Sequence, residues 1–508
     1  MQKGISKILD WWEHSPLTLI LGAAIFVRLI AVIFSKGYGM HDDHFLVVEV
    51  SQSWLEGKDV LNWFSKTQEE NESGRSFFYP GLHYFLFMGL EKIGMHDPQI
   101  KMYVVRFLHA LLSLVSVWMA YKISEKISGR ETAKQVGLVM ALLWLMPAMG
   151  VRNLIEMVVM PMLLVASWWV LISEEHKYKW WLLFGAGLLV GMAFPIRYQV
   201  LFFTGGISIA LMLQKKWKES ILYTIGMFVT IGLISGWLEW KLWGYPFGKV
   251  IYYVKDNIEN SGNYFTLPWY TYILQVLIIF TPPLSLFIFF GQFKVWKKYF
   301  LLFVPTFLFF AFHSYFPNKQ ERFIFTVLPF ILMMGLAGWN EIKNTSAYWQ
   351  NKKKFIRGSW IFFWTLNTIV LCLFIFSYSK KSRVEAMYYF HDKPDVTGLI
   401  METRTIHKEL YLPRFYMDHK WPSVIWMGQD RSYEHLQEDI ANRPLQERPN
   451  YVLFLDEKNL DERVKTMQNI YPNLHHVYTA KPGLLDWIMY KMNPVNINQD
   501  IFIYKTDL

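Results

Sequence analysis

Charge is scarce in this chain. Only 18% of its 508 residues are Asp, Glu, Lys or Arg, against about a quarter in soluble globular proteins. The shortage argues against one large soluble core as the origin of the apolar runs. Cysteine is scarcer still: Cys372, inside an apolar run, is the only one. An intramolecular disulfide framework is therefore excluded, and the redox compartment is left undetermined. No spaced metal-ligand motif such as His-Glu-x-x-His is present. Internal repeats and low-complexity tracts are missing too. The amphipathic segment Met1 to His14 lacks a cleavage pattern after the first apolar run, so that run reads as a retained helix and not a signal peptide.

Apolar sequence is what the chain has in abundance: 53% is hydrophobic and 18% aromatic. The apolar residues come in runs such as Leu17 to Phe34, Trp180 to Phe194 and Phe300 to Phe312, of the order of the roughly 20 residues that cross a bilayer. The net charge of +10 suggests nucleic acid until the basic residues are located. They fall in short loops between apolar runs, at Lys122 to Lys134, Lys177 and Lys179, Lys215 to Lys218, Lys294 to Lys298 and Lys352 to Arg357. Topology explains that distribution, and no nucleic-acid partner is expected. Pro80 to Ile93 either spans or lies flat in the interface. The flat placement puts the basic loops inside, as the positive-inside rule prefers. Spans then follow over Pro16–Ser35, Val104–Tyr121, Gln135–Gly150, Leu154–Ile172, Trp180–Pro195, Val200–Leu213, Ile221–Trp240, Tyr270–Phe290, Tyr299–Phe312, Phe323–Trp339 and Ser359–Phe376. These make about eleven, which sends the tail to the side opposite the N-terminus.

From about Lys380 the composition turns polar. Tyr451 to Leu455, His476 to Thr479 and Ile501 to Tyr504 read as strands, and Asn459 to Asn469 and Leu484 to Met492 as helices. The expected architecture is an α-helical polytopic membrane domain over residues 1–379, with a first outer loop at 36–101. A soluble extracytoplasmic α/β domain follows over 380–508.

Met40-His41-Asp42-Asp43-His44-Phe45, followed by Glu49, comes directly after the first run. Four ionisable side chains in a row at a membrane edge are costly to desolvate and mark a functional site. With the topology above, one face also collects Arg75, Asn153, Glu156, Arg197, Lys319, Glu321 and Arg322, each at or near the end of an apolar run. Snorkelling or loop solvation accounts for any one of them alone. Acids and bases gathered together suit group transfer from a lipid phosphate. A carboxylate takes the acceptor's proton, and Arg and Lys hold the departing phosphate. The acidic pair with its histidines also admits a divalent cation, but consecutive residues rarely converge on one ion. No metal and no cofactor are expected. Trp243, Tyr245, Trp269 and Tyr270 read as an interfacial belt.

These stretches together resemble the GT-C superfamily, and within it the family 22 mannosyltransferases of the GPI-anchor and dolichol-linked glycan pathways. That family opens with His-Pro-Asp-Glu after the first helix, then an aromatic residue and a Glu. Anchoring on Glu49 aligns Asp42 with its catalytic Asp; a one-residue shift aligns His41 with its His and Asp43 with its Asp. Gly74-Arg75-Ser76 with Pro80 resembles the family's Arg-Ser and Pro element. Arg106 with Tyr121 and Gly129 resembles its second-helix pattern, and Asn153-Leu-Ile-Glu156 its Asn-x-x-Glu. Ile196-Arg197 resembles its Ile-Arg-Pro, with Tyr198 in place of Pro. Asn318-Lys319-Gln320-Glu321-Arg322-Phe323 resembles its His-Lys-Glu-Glu-Arg-Phe, and Pro268-Trp269-Tyr270 its Pro-Trp-x-Tyr. The resemblance covers roughly residues 15 to 340. Met40-His41 replaces the family's His-Pro, and Asn318 its His. The soluble tail is not a family hallmark and is closer to the periplasmic tails of bacterial GT-C enzymes.

The resemblance implies an inverting glycosyltransferase of a bacterial plasma membrane. It would move a sugar, mannose by family analogy, from a polyprenyl-phosphate donor to a glycan or lipid-linked acceptor on the outer face. Asp42 or Asp43 would serve as base. His41, Glu49, Arg75, Asn153, Glu156, Arg197, Lys319, Glu321 and Arg322 would bind substrate. Two rivals are carried: a flippase for lipid-linked saccharides, against which the missing repeats and the charges at helix ends both count, and an inactive GT-C scaffold subunit.

Overall fold

The computed structural model describes residues 10–65, 74–263, 266–404, 410–418, 421–494 and 497–507. Most of the amphipathic segment before His14, and parts of the polar stretches at 37–79 and 241–268, lie outside these. Among the described residues, seven helices are long and apolar enough to cross a membrane: Pro16–Phe34, Pro98–Ser128, Ile155–Ser173, Lys179–Ile196, Trp217–Trp243, Glu321–Thr345 and Lys353–Ile375. The other four expected spans are helical but differently built. Tyr198–Leu213 and Phe300–Tyr315 are short, and Thr271–Ile279 with Leu284–Lys294 forms a pair bent by 118°. Gln135 to Gly150 falls on two helices, Arg130–Leu142 and Leu145–Gly150.

That last break has a chemical cause. Leu143 is extended (φ −58°, ψ 126°), which leaves the last carbonyls of the first helix without intrahelical donors. Buried Arg28, on the Pro16–Phe34 helix, donates to Ala141 O at 3.0 Å and Met140 O at 3.3 Å. Asn367 closes the other side: its Nδ2 donates to Leu142 O at 2.8 Å and its Oδ1 accepts from Trp144 N at 2.8 Å. A cation at a helix C-terminus is favourable, and backbone carbonyls are the usual partners of charge inside a membrane.

The chain forms two compact units, one of residues 1–33, 59–82 and 105–375, the other of 34–58, 83–104 and 376–508. In the first, small residues set the helix packing, as they do where no hydrophobic drive distinguishes lipid from protein. Leu284–Lys294 meets Leu328–Thr345 through Gly291 and Gly338, where an added Cβ on Gly338 would lie 1.9 Å from Gly291 O. Gly338→Leu is therefore expected to lower the melting temperature of the detergent-solubilised protein by several degrees, through about 1–3 kcal/mol of overpacking or more. Gly358, in the Lys353–Ile375 helix, has nothing within 4 Å of its would-be Cβ, and Gly358→Ala should leave the melt unchanged or raise it.

The second unit holds a five-stranded sheet: β1 (Gly398–Glu402), β2 (Ser423–Met427), β3 (Tyr451–Phe454), β4 (His475–Ala480) and β5 (Ile501–Lys505), in the order β2-β1-β3-β5-β4. The first three run parallel and β5 is antiparallel to its neighbours. Its core is Ile400, Ile425, Met427, Val452 and Phe454, covered by Leu436 of helix Tyr433–Ala441 and Met467 of helix Leu460–Gln468. β3, β4, β5 and the helices Leu460–Gln468 and Leu484–Met492 lie where the sequence reading expects them. β1 and β2 do not announce themselves: five residues each, one buried on every position and the other on alternate ones.

Candidate functional site

The acidic stretch belongs to the second unit. A short helical turn, His41–Asp43, runs into a π-helical segment, His44–Glu49, and then into an α-helix, Val50–Leu55. A π-turn closes i to i+5 and recurs at functional sites; here it brings His44 and Glu49, five apart, to 3.9 Å. Asp42 is half-buried, Asp43 fully buried and His41 exposed. The His44 ring lies between Tyr38 (4.7 Å between centroids) and Tyr416 (5.7 Å), near parallel to both. Burial pushes its pKa down to about 3, so it is neutral. Glu49 is 4% exposed. Its carboxylate accepts from the Phe415 N–H at 3.4 Å and faces Arg414 Nε at 3.6 Å.

Arg414 and Phe415 open a 3-10 turn of the tail, Arg414–Met417. Their part in holding Glu49 has no sequence signal, because 365 residues separate Glu49 from Arg414. Burial raises the Glu49 pKa to about 7, with Arg414 and the Phe415 N–H pulling against it. A raised carboxyl holds a proton in the native state that the unfolded chain releases from about pH 4.5 upward. Stability therefore falls as pH rises from the ordinary value through about 7, and the full cost stands above that. In thermal melts between pH 5 and pH 8, Glu49→Gln should flatten this fall by on the order of 3 kcal/mol. A melt whose pH slope is the same in wild type and variant would remove Glu49 as its source.

Arg75, Asn153, Glu156, Arg197, Lys319, Glu321 and Arg322 belong to the first unit, and helix breaks place them. Leu154 is extended (φ −139°, ψ 115°) and starts the Ile155–Ser173 helix, putting Glu156 in its first turn, where a carboxylate suits the dipole. Arg197 is extended (φ −148°, ψ 102°) between the Pro195-containing end of Lys179–Ile196 and the turn Tyr198–Val200. Gln320 is extended before the turn Glu321–Val327. Charged residues sit at these breaks because the helical ladder is already interrupted there.

The breaks converge on Glu156, which is wholly buried. Its Oε1 pairs with Arg197 Nη1 and lies 3.7 Å from Arg322 Nε. Arg197 lies 4.9 Å from the centroid of the Phe323 ring, and Arg322 Nε also donates to Gln320 Oε1 at 2.9 Å. Among the described residues, Arg197 Nε and Nη2 and Glu156 Oε2 are buried without a hydrogen-bond partner. Such groups are costly unless something occupies them. Lys319 donates to Phe316 O and sits 5.9 Å from the Tyr272 ring, and burial lowers its pKa. Asn153 Oδ1 lies 2.6 Å from the Tyr79 hydroxyl, itself 2.9 Å from His109 Nε2. Glu321 is exposed.

Tyr253 is a member that the sequence reading missed. Burial raises its phenol pKa while Arg197, Arg75 and Arg322, in that order, act against the rise, so three guanidiniums lie within electrostatic reach of it. Gln199 Nε2 donates to its hydroxyl. Its helix, Gly248–Glu259, is anchored one turn earlier by wholly buried Lys249. The Lys249 ammonium sits 4.8 to 5.1 Å from the Trp243, Phe77 and Trp63 rings, with its pKa pushed down to about 7 by burial. The Lys249 to Tyr253 spacing of four, on an amphipathic stretch, was the available signal. Trp243 thus belongs to a cage, not to an exposed belt. Beside the arginines lies a cavity of about 290 Å³ lined by Phe194, Phe202, Tyr253, Phe312, His313 and Phe323.

Residues 19–411 match the model of the Alg9-like mannosyltransferase family. Human GPI alpha-1,2-mannosyltransferase 3 is 22% identical over 320 residues, which span 61% of this chain and 55% of that protein. Mannosyltransferase APTG1 of Arabidopsis thaliana is 22% identical over 403 residues, 75% of this chain and 71% of that one. The crystal structure of ArnT from Cupriavidus metallidurans bound to undecaprenyl phosphate superposes with a TM-score of 0.58 at 10% identity, over 96% of this chain and 97% of that one. That likeness shows the fold, a polytopic helical domain of GT-C type with an α/β tail. With more than half its length matched by one family model, the chain belongs to the Alg9-like mannosyltransferase family.

Proposed function

We propose that the protein is a glycosyltransferase of a bacterial plasma membrane. It transfers mannose from a polyprenyl-phosphate donor to a hydroxyl of a glycan or glycolipid on the extracytoplasmic face, where its C-terminal domain also lies. The observation that carries the reading is Arg197. Glu156 fixes one end of its guanidinium, while Nε and Nη2, buried and unpartnered among the described residues, remain for an anion. Two adjacent guanidine donors match two phosphate oxygens. The Phe-lined cavity alongside suits an isoprenoid chain.

In the reaction, a carboxylate oxygen of Asp42 takes the proton of the acceptor hydroxyl. The acceptor oxygen attacks the anomeric carbon from the face opposite the phosphate. The anomeric carbon–oxygen bond to phosphate breaks, and the polyprenyl phosphate leaves with the electron pair. Arg197, Arg322 and Lys319 hold the charge that develops on it, with Arg75 and Tyr253 beside them. Attack from the opposite face inverts the anomeric centre. Half-buried Asp42 is favoured over Asp43, since a base must reach the acceptor proton; Asp43, Glu49 and His41 shape the acceptor side. Glu156 and Asn153 position the cations and the first turn of their helix. No metal or cofactor is assigned to any step.

The test is transfer from a radiolabelled polyprenyl-phosphate mannose in membranes, with the product anomer read by NMR. Inverted configuration and turnover without added divalent cation are expected. Saccharide translocation with no transfer product would overturn the proposal.

A further inference from the structure

Beside the proposed base, the second unit exposes a row of aromatic rings that no core requires. His41 packs on Phe45 at 4.3 Å and meets the Tyr411 ring at 5.7 Å, and Tyr411 meets the Trp426 ring at 5.6 Å. Tyr411 is 48% exposed. Trp426 lies on the edge strand β2, where alternate residues face opposite ways. Ile425 and Met427 enter the core, so Trp426 turns to the other face and stays part-exposed. Arg414, near Glu49, extends the rim and lies 5.1 Å from the Trp421 ring. Asp42 is the residue next to His41. A pyranose ring presents an apolar C–H face and a hydroxyl edge, and rigid aromatic rings flanked by polar groups suit that pattern.

We infer that Tyr411 and Trp426 of the tail, with His41 of the first outer loop, form a carbohydrate platform that seats the acceptor glycan beside Asp42. The platform rests on the transferase reading above and adds the class of ligand that the tail recognises. Trp426 lies beyond the matched family residues, which end at 411. His41 and Tyr411 lie within them, so Trp426 adds to the platform a ring that the matched portion alone does not carry.

The full chain in detergent is titrated with α-1,2-mannobiose, octyl α-mannopyranoside and octyl α-glucopyranoside, with tryptophan fluorescence as the readout. At least one is expected to bind, with affinity falling about tenfold in Tyr411→Ala and in Trp426→Ala but held in Tyr411→Phe, which keeps the ring. A thermal melt of each variant verifies folding; should one alanine variant fail to fold, the other decides. Transfer of labelled mannose to the octyl glycosides should show a raised acceptor KM with little change in kcat or donor KM. Binding by none of the three, or binding and acceptor KM unmoved by both alanine changes, overturns the platform. Wild-type transfer with no aromatic dependence sinks the platform alone. Ring-dependent binding with no transfer from any donor sinks the transferase reading and keeps the platform.

Discussion

Membranes carrying Asp42→Asn are expected to transfer mannose about 10²–10⁴-fold more slowly than wild type, the contribution typical of a positioned general base. The change is nearly isosteric and Asp42 is only half-buried, so donor KM and the thermal melt should hold. Asp43→Asn should behave differently. Asp43 is fully buried in the turn that leads into the π-helical segment, so its loss should appear as a lower melting temperature together with a lower rate. Equal, full activity in both variants would remove this stretch from the chemistry. A rate loss in Asp43→Asn alone, with the melt intact, would move the base by one residue, to the other alignment that the family motif allows.

Arg197→Met should give the second large effect, on binding and on folding at once. It removes the guanidinium assigned to the phosphate and leaves Glu156 buried with, among the described residues, Arg322 at 3.7 Å as its remaining cation. Breaking a buried pair from one side typically costs about 3–5 kcal/mol. Donor KM should rise at least about 100-fold, as expected when a charge-assisted pair of hydrogen bonds is lost. Arg197→Lys should not restore it, since an ammonium cannot offer two parallel donors while a third nitrogen pairs with Glu156. The double variant Glu156→Gln/Arg197→Met separates the two roles. Stability should recover part of its loss, because the lone buried carboxylate is gone, while activity should stay low. Recovery of activity along with stability would make the pair purely structural.

Much of the candidate site was legible in the chain because its residues lie where the sequence changes character. Asp42, Glu156, Arg197 and Arg322 each stand at or beside the end of an apolar run, and a charge in such a place declares itself by its cost. Glu321 was drawn in by the same rule and is simply exposed. Residues whose role depends on a distant partner gave no such sign. Arg414, Phe415 and Tyr416 look like an ordinary polar-aromatic loop until the fold lays them against Glu49 and His44. Tyr253 and Lys249 read as one amphipathic turn among several. The break near Leu143 was hidden as well, because Arg28 and Asn367, which seal it, lie over a hundred residues away on either side.

The order of apolar runs and basic loops by itself determined that this is a multi-helix membrane chain, since bilayer thickness and backbone hydrogen bonding leave few other solutions. The motif residues determined its family. Tertiary structure alone decided which carboxylate is shared by two arginines, which loop of the tail clasps Glu49, and which aromatic rings stay uncovered. Those choices rest on contacts between residues far apart in the chain, and no local pattern of period two or 3.6 encodes them.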